Sequence, residues 1–264
     1  MITSKENKII KYINSLSLKK YRDESAEYVV EGIKMSLEAT EYSEISYIVI
    51  CEELLNSNDY ESIKSVLKKK KISDESVVLV SKSVFSFISD TKTPQGILVV
   101  AKKNKKNISY FGNIFVLDEV QDPGNVGTII RSLDSAGFSN LILSKGCADP
   151  YNPKVVRSTM GAIFRVDIEE LQEELVDKIN KLKSNGYKIV VTSLDTNKYY
   201  YDIDFNEKVA IVIGNESKGV SKEIQTLADY KVKIPMIGKT ESLNAAVATS
   251  IIAYEKVRKS LTKE

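Results

Sequence analysis

Asp118-Glu119-Val120-Gln121-Asp122-Pro123-Gly124-Asn125-Val126-Gly127-Thr128-Ile129-Ile130-Arg131 is the stretch on which the fold turns. The run just before it, Ile114 to Leu117, is short, apolar and rich in branched residues. It ends in acids and a Pro-Gly turn, the pattern of a buried strand in an α/β sheet. A helix is expected from near Gly124, because Val126, Ile129, Ile130, Leu133 and Gly137 recur at helical spacing and form one packing face. Asn125 and Arg131 are then free to point elsewhere. Functional residues of open α/β sheets gather at the carboxyl ends of strands, where this turn falls. A strand, a glycine-bearing turn and a helix around one arginine read as a site.

Working outward, the pattern repeats. Strands are expected near Ile114 to Leu117, Asn140 to Leu143, Lys188 to Thr192, Val209 to Ile213 and Val232 to Ile234. Helices are expected near Val126 to Ala136, Lys154 to Thr159, Glu169 to Ser184, Lys222 to Ala228 and Asn244 to Ser260. Repeated βα units imply a mainly parallel sheet with helices on both faces. Upstream, helices around Ser4 to Leu18, after Gly32 and around Tyr60 to Lys70 alternate with strand-like Tyr28 to Val30, Ile45 to Ile50, Val77 to Val80 and Gly96 to Ala101. This is a smaller α/β unit. Polar, lysine-rich Lys102 to Asn113 reads as a linker. Two domains are therefore expected, 1–106 and 107–264.

The 264 residues contain no histidine, which removes Ser-His hydrolases, His-ligated metals and the commonest general base. Cys51 and Cys147 stand at no motif spacing and read as ordinary thiols, so neither a disulfide scaffold nor a metal site is expected. No apolar segment suffices to span a bilayer and Met1 to Lys11 is too charged for a secretory signal, so no membrane association and a cytoplasmic location are expected. The net charge of +2 is unevenly spread. Residues 1–106 carry 18 Lys and Arg against 15 Asp and Glu, and residues 107–264 carry 20 against 21. The excess lies in Lys19-Lys20, Lys68 to Lys71, and Lys102-Lys103 with Lys105-Lys106. Such runs can neutralise RNA phosphates, or they can be solvated surface, with Lys68 to Lys71 favouring the carbonyl end of a helix.

Two further strand ends carry candidate chemistry. In Ile211 to Ser221, Gly214 permits close approach of a ligand to the backbone, Glu216 puts an acid at the strand's carboxyl end, and Ser221 can cap the next helix. Taken alone this is an ordinary strand-loop-helix joint. In Ile234 to Asn244 a strand runs through a loop into the last helix, whose Leu243, Ala246, Val247, Ser250, Ile251 and Tyr254 form one face suited to its own core or another subunit. Gly238-Lys239-Thr240 looks like the end of a P-loop, but Lys233 replaces the earlier glycine. Asp122 likewise stands where a dinucleotide fingerprint needs its first glycine.

These three strand-end motifs, in this order, resemble the SpoU/TrmH family of RNA ribose 2'-O-methyltransferases in the SPOUT superfamily. The match covers Ile114 to about Arg258 and includes Arg157-Ser158-Thr159-Met160-Gly161-Ala162-Ile163-Phe164. The first part is similar, more loosely, to the RNA substrate-binding domain often joined to that family, through Ile2-Thr3-Ser4 with Asn7, Val30-Glu31-Gly32 and Thr93-Pro94-Gln95-Gly96. The resemblance implies a carboxy-terminal deep trefoil knot that binds S-adenosyl-L-methionine, in a homodimer formed through the knotted domain. By motif position Gly214, Ile234, Met236 and Leu243 would hold the cofactor. Arg131 matches the catalytic arginine, and Asn125, Glu216, Ser242 and Asn244 match the polar residues around it.

The implied reaction is in-line methyl transfer to a ribose 2'-hydroxyl, chemistry that requires no metal and rests mainly on orientation. The proton acceptor is open between Arg131, Glu216, a water and a substrate phosphate. A guanidinium is a poor base, so Arg131 reads better as a charged clamp that stabilises the developing alkoxide. Glu216, Ser242 and Asn244 could instead shape loops by bonding backbone groups. The extra amino-terminal domain favours ribosomal over transfer RNA. Tyr12, Tyr21 and Tyr28 could stack on bases or serve as core and surface. A transfer RNA enzyme, or a non-catalytic RNA-binding protein with the knot as scaffold, is the alternative.

Overall fold

The computed structural model describes residues 1–70, 73–103, 108 and 110–262. The chain divides into two compact units, Met1–Asn104 with Tyr151–Phe164, and Lys105–Pro150 with Arg165–Glu264. The segment Tyr151–Phe164, which the sequence pattern groups with the second part, packs within the first unit.

The first unit contains α1 (Lys8–Ser15), α2 (Lys19–Ser25), β1 (Glu27–Glu31), α3 (Ile33–Tyr42), β2 (Ile45–Cys51), α4 (Asp59–Lys69), β3 (Val77–Val80), α5 (Lys82–Ile88) and β4 (Ile97–Lys102). Its sheet runs β1-β4-β2-β3, with β4 antiparallel to both neighbours and β2 parallel to β3. Ile10, Ile13 and Leu16 of the first helix and its end pack with Phe85 over Val49, Val80 and Leu98. The single helix expected over Ser4 to Leu18 is shorter because Asn7 caps it, accepting from the amide of Ile9 at 2.9 Å. A separate α2 follows.

The second unit contains β5 (Ile114–Asp118), α6 (Pro123–Ser135) and β6 (Asn140–Leu143). After α7 (Pro153–Thr159), which belongs to the first unit, come β7 (Asp167–Glu170), α8 (Leu175–Ser184), β8 (Lys188–Thr192), β9 (Val209–Gly214), α9 (Lys222–Leu227), β10 (Tyr230–Val232) and α10 (Ala245–Leu261). All pairings in the order β10-β8-β9-β5-β6-β7 are parallel. Ile114, Phe115, Val116 and Leu117 have no exposed surface, as a central strand covered on both faces requires. The helix expected from Glu169 to Ser184 begins only at Leu175, because Glu169 and Glu170 end the strand β7. β7 sits at the sheet edge, and the polar Asp167-Ile168-Glu169-Glu170 pattern that suits an edge also resembles a helix start. The strand expected over Val232 to Ile234 lies two residues earlier, because the chain leaves the sheet at Lys233.

At the end of α7, Met160 and Gly161 take positive φ, and a Cβ on Gly161 would lie 2.2 Å from the Glu38 carboxylate. The close helix end therefore requires glycine. Arg157 pairs with Asp90 at 2.5 Å. Tyr28 is 2% exposed and belongs to the core, and burial pushes its hydroxyl up. Burial, with a hydrogen bond to Glu27, raises Tyr12 to about 12. Tyr21 alone of the three tyrosines is largely exposed.

Several described lysines of the runs are paired. Lys20 pairs with Glu24, Lys70 with Glu41, Lys102 with Glu44 and Lys103 with Asp23. Lys71, Lys105 and Lys106 lie outside the described residues, as does much of the expected linker. Cys51 and Cys147 are free thiols, and burial pushes Cys147 up, away from the reactive thiolate. Among the described residues no helix is long and apolar enough to cross a membrane, and no cluster of three or more His, Cys, Asp or Glu side chains could hold a metal.

Candidate active site

Two helix starts and one strand end converge in the second unit. Asp122 caps α6 by accepting from the Asn125 amide at 2.8 Å, and Pro123 occupies the first turn, where its missing N–H costs nothing. This start holds the Asn125 side chain. At the other helix, Asn244 caps α10, its Oδ1 accepting from the amides of Ala246 at 2.9 Å and Val247 at 3.3 Å. The Asn244 Nδ2 donates to the Asn125 Oδ1 at 2.8 Å, and the Asn125 Nδ2 donates to the Glu216 Oε1 at 2.8 Å. Residues far apart in sequence thus form one directional chain, from a helix start through two amides to a carboxylate.

The carboxylate is held ionised. Burial alone would raise Glu216, but the Asn125 donor and the backbone amides of Glu216, Gln121 and Asp122 together hold it below the usual carboxylate range. The α6 amino terminus next to it favours negative charge in the same sense. A carboxylate so stabilised accepts hydrogen bonds well and takes up a proton reluctantly, which makes Glu216 a better orienting group than a base.

A cavity of about 490 Å3 opens where β8, β9 and β10 end. Gly214, Ile234, Met236 and Leu243 line it, as do Glu216 and Ser242. The sequence reading omitted the β8 end, Thr192 to Asp195, which also forms wall. Adjacency of β8 and β9 in the sheet brings it there, and only the rule that ligands sit at strand carboxyl ends pointed to it. The volume falls in the range of about 300–1,000 Å3 typical of small-ligand clefts.

Two expected details change. The space that Gly214 leaves is taken by the chain's own loop: a Cβ there would lie 2.1 Å from Gly219 C and Val220 N. Asn215 and Gly219 close this loop with reciprocal backbone bonds of 3.1 and 2.9 Å. Ser221 stands at the start of α9 but its side chain makes no cap bond, and its amide is held by Asp118 Oδ2 at 2.7 Å.

Arg131 is not drawn into this constellation within one chain. Six residues beyond Asn125 on α6, it stands about 9 Å further along the axis and about 120° round it. It is exposed and lies off the cavity wall.

The chain matches known proteins along nearly its whole length. The family model described as the SpoU rRNA Methylase family matches residues 112–254, and the MRM3-like substrate binding domain matches residues 7–99. The chain belongs to the SpoU rRNA methylase family. Across 254 residues this SpoU chain is 31% identical to the Bacillus subtilis 23S rRNA (guanosine(2553)-2'-O)-methyltransferase RlmP, covering 96% of the chain and 97% of the relative. Over 157 residues it is 38% identical to the Streptomyces viridochromogenes 23S rRNA (uridine(2479)-2'-O)-methyltransferase, covering 58% of the chain and 54% of the relative. An AdoMet-bound rRNA methyltransferase from Sinorhizobium meliloti superposes with a TM-score of 0.85 at 31% identity, covering 98% of the chain and 97% of that structure.

Proposed function

We propose that this SpoU protein transfers a methyl group from S-adenosyl-L-methionine to a ribose 2'-hydroxyl of ribosomal RNA. The observation that carries the reading is the cavity at the strand ends meeting the Glu216-Asn125-Asn244 hydrogen-bond chain through Glu216, which belongs to both. A relative named as a 23S rRNA 2'-O-methyltransferase, matched over nearly the whole chain, supports ribosomal over transfer RNA.

The cavity fits the cofactor in size and chemistry: Ile234, Met236 and Leu243 offer apolar surface, and Gly214 with the loop after it offers backbone groups. When bound there, S-adenosylmethionine supplies a methyl group on a positively charged sulfur. The chain's part is to bind, orient and handle charge. Asn125 and Asn244, locked in one amide orientation by their mutual bond and by Glu216, present fixed dipoles to the ribose, and Ser242 adds a hydroxyl on the cavity wall. Held orientation of this kind is worth as much as ~7–11 kcal/mol in favourable cases. Arg131, which a single chain leaves off the cavity wall, would reach the site from the second copy of the homodimer and stabilise negative charge developing on the 2'-oxygen. With Glu216 depressed and arginine a poor base, the proton goes to water or to a substrate phosphate.

In this reading residues 1–106 form the RNA substrate-binding domain and residues 107–264 the methyltransferase domain. The segment after β9 forms a deep trefoil knot, and the protein acts in the cytoplasm as a homodimer through that domain. The test is transfer of labelled methyl to hypomethylated ribosomal and transfer RNA, followed by alkaline hydrolysis. Label in alkali-resistant dinucleotides from ribosomal RNA is the expected result. Label confined to mononucleotides means base methylation and refutes the reading. No label together with no cofactor binding favours the scaffold role instead.

A further inference from the structure

Within the lysine runs that stand out in the sequence, Lys20, Lys70, Lys102 and Lys103 each meet a carboxylate. Among the described residues Lys198, Lys218 and Lys233 make no ion pair with a carboxylate, and Lys218 and Lys233 line the cavity. Lys233 also anchors a group of tyrosines. Tyr199 pairs with it in a parallel bridge, the Lys233 amide donates to Lys198 O at 3.0 Å, and the Tyr200 amide donates to Lys233 O at 3.0 Å. The turn that follows is fixed twice more. Asp202 accepts from the Tyr199 amide at 2.8 Å, and Lys259 at the end of α10 donates to the carbonyls of Tyr201 at 2.6 Å and Ile203 at 2.7 Å.

On this rigid turn the Tyr199 and Tyr201 rings stack with centroids 5.2 Å apart and planes 26° apart, and Tyr201 remains 42% exposed. Lys233 Nζ lies 5.9 Å from the Tyr199 centroid, and Lys198 Nζ lies 4.8 Å from the ring of Tyr230, itself 39% exposed. Tyr200 meets Tyr201 edge-on with centroids 5.2 Å apart, and held, partly exposed aromatic rings beside ammonium groups that make no ion pair are what binds single-stranded nucleic acid: bases stack and phosphates meet lysines. A paired duplex offers no free base face to such a platform.

We propose that a single-stranded stretch of the RNA substrate docks beside the cavity mouth. One base stacks on the Tyr199–Tyr201 pair, and phosphates contact Lys198, Lys218 and Lys233. This rests on the RNA methyltransferase reading, and it moves the substrate-gripping charge from the lysine runs of the first unit to the strand ends of the second.

The test measures binding of a short single-stranded RNA and its duplex to the full chain across a salt series, alongside S-adenosylmethionine affinity and methyl transfer to an unmodified 23S rRNA transcript. Tyr201→Leu should weaken single-strand binding about 5- to 100-fold, leave cofactor affinity unchanged, and be rescued by Tyr201→Phe. Lys198→Gln and Lys233→Gln should each reduce the slope of log Kd against log salt by about 0.7. Wild-type RNA affinity and slope in all these variants overturn the proposal, as does loss confined to Lys68→Gln with Lys69→Gln. So does loss of cofactor affinity in Tyr201→Leu with unchanged slopes in the lysine variants. Absence of methyl transfer by the wild-type chain refutes the enzyme reading, whereas normal transfer with indifferent variants refutes this docking surface alone.

Discussion

Gly214→Ala is a one-methyl change whose consequence follows from two distances. The added Cβ would sit 2.1 Å from backbone atoms of both Gly219 and Val220, against about 3.4 Å for ordinary contact, so strand end and loop must separate by about 1.3 Å. Neither obstacle is a side chain that can rotate away. The separation pulls on the reciprocal Asn215–Gly219 bonds and on Asn215 Nδ2, which donates to Glu119 O at 2.8 Å, and so displaces Glu216, the next residue. Overpacking of this kind costs about 1–3 kcal/mol. At about 2–4 °C per kcal/mol for a domain of this size, the melting temperature should fall by about 2–12 °C. A shift of about 1 Å at a positioned group can cost about 100-fold in rate. Thermal denaturation and calorimetric titration with S-adenosylmethionine check both parts. A Gly214→Ala protein with unchanged melting and unchanged cofactor affinity refutes the reasoning.

Other outcomes follow from the same geometry. Asn125→Ala removes the donor to Glu216 and the acceptor of Asn244 at once, so single-turnover methyl transfer should fall about 10- to 100-fold, and the Glu216 carboxyl should move up on titration. Because Glu216 titrates below its ordinary 4.5 in the folded chain, its contribution to stability is present above that value and is lost as pH falls through the depressed pKa. Since Asp23, Glu173 and Glu255 are held low as well, wild type and Glu216→Gln compared by denaturation across the acid range should both weaken with acid, with the wild type losing more stability than the variant. Arg131→Lys should lower kcat at least about tenfold while leaving cofactor affinity and melting near wild type, since the side chain is exposed and off the cavity wall. Near-normal turnover would remove any specific guanidinium role.

Much of the architecture was legible because local pattern and tertiary role coincide. Ile114 to Leu117 reads as a covered strand since burial on both faces demands an unbroken apolar run, and the helix near Gly124 reads from the spacing of Val126, Ile129, Ile130 and Leu133, which is the face it buries. β7 was not legible, because an edge strand carries the polar alternation that a helix start also carries. At Gly214 the space a Cβ would take is filled by the chain's own loop, and contact at that range has no signature in neighbouring residues.

By itself, then, the sequence determined the alternating βα build, the strand ends where chemistry gathers, and the exclusion of histidine chemistry, all of which depend on residue type and local spacing. The tertiary structure alone decided that Asn125, Glu216 and Asn244 form one hydrogen-bond chain while Arg131 stands apart from it. It also decided that Lys70 and Lys103 of the prominent runs meet carboxylates while the inconspicuous Lys198 and Lys233 lie beside tyrosine rings. Charge balance and bond direction depend on which distant groups the sheet order brings within about 3 Å, and sheet order is set by long-range packing that no local window of residues contains.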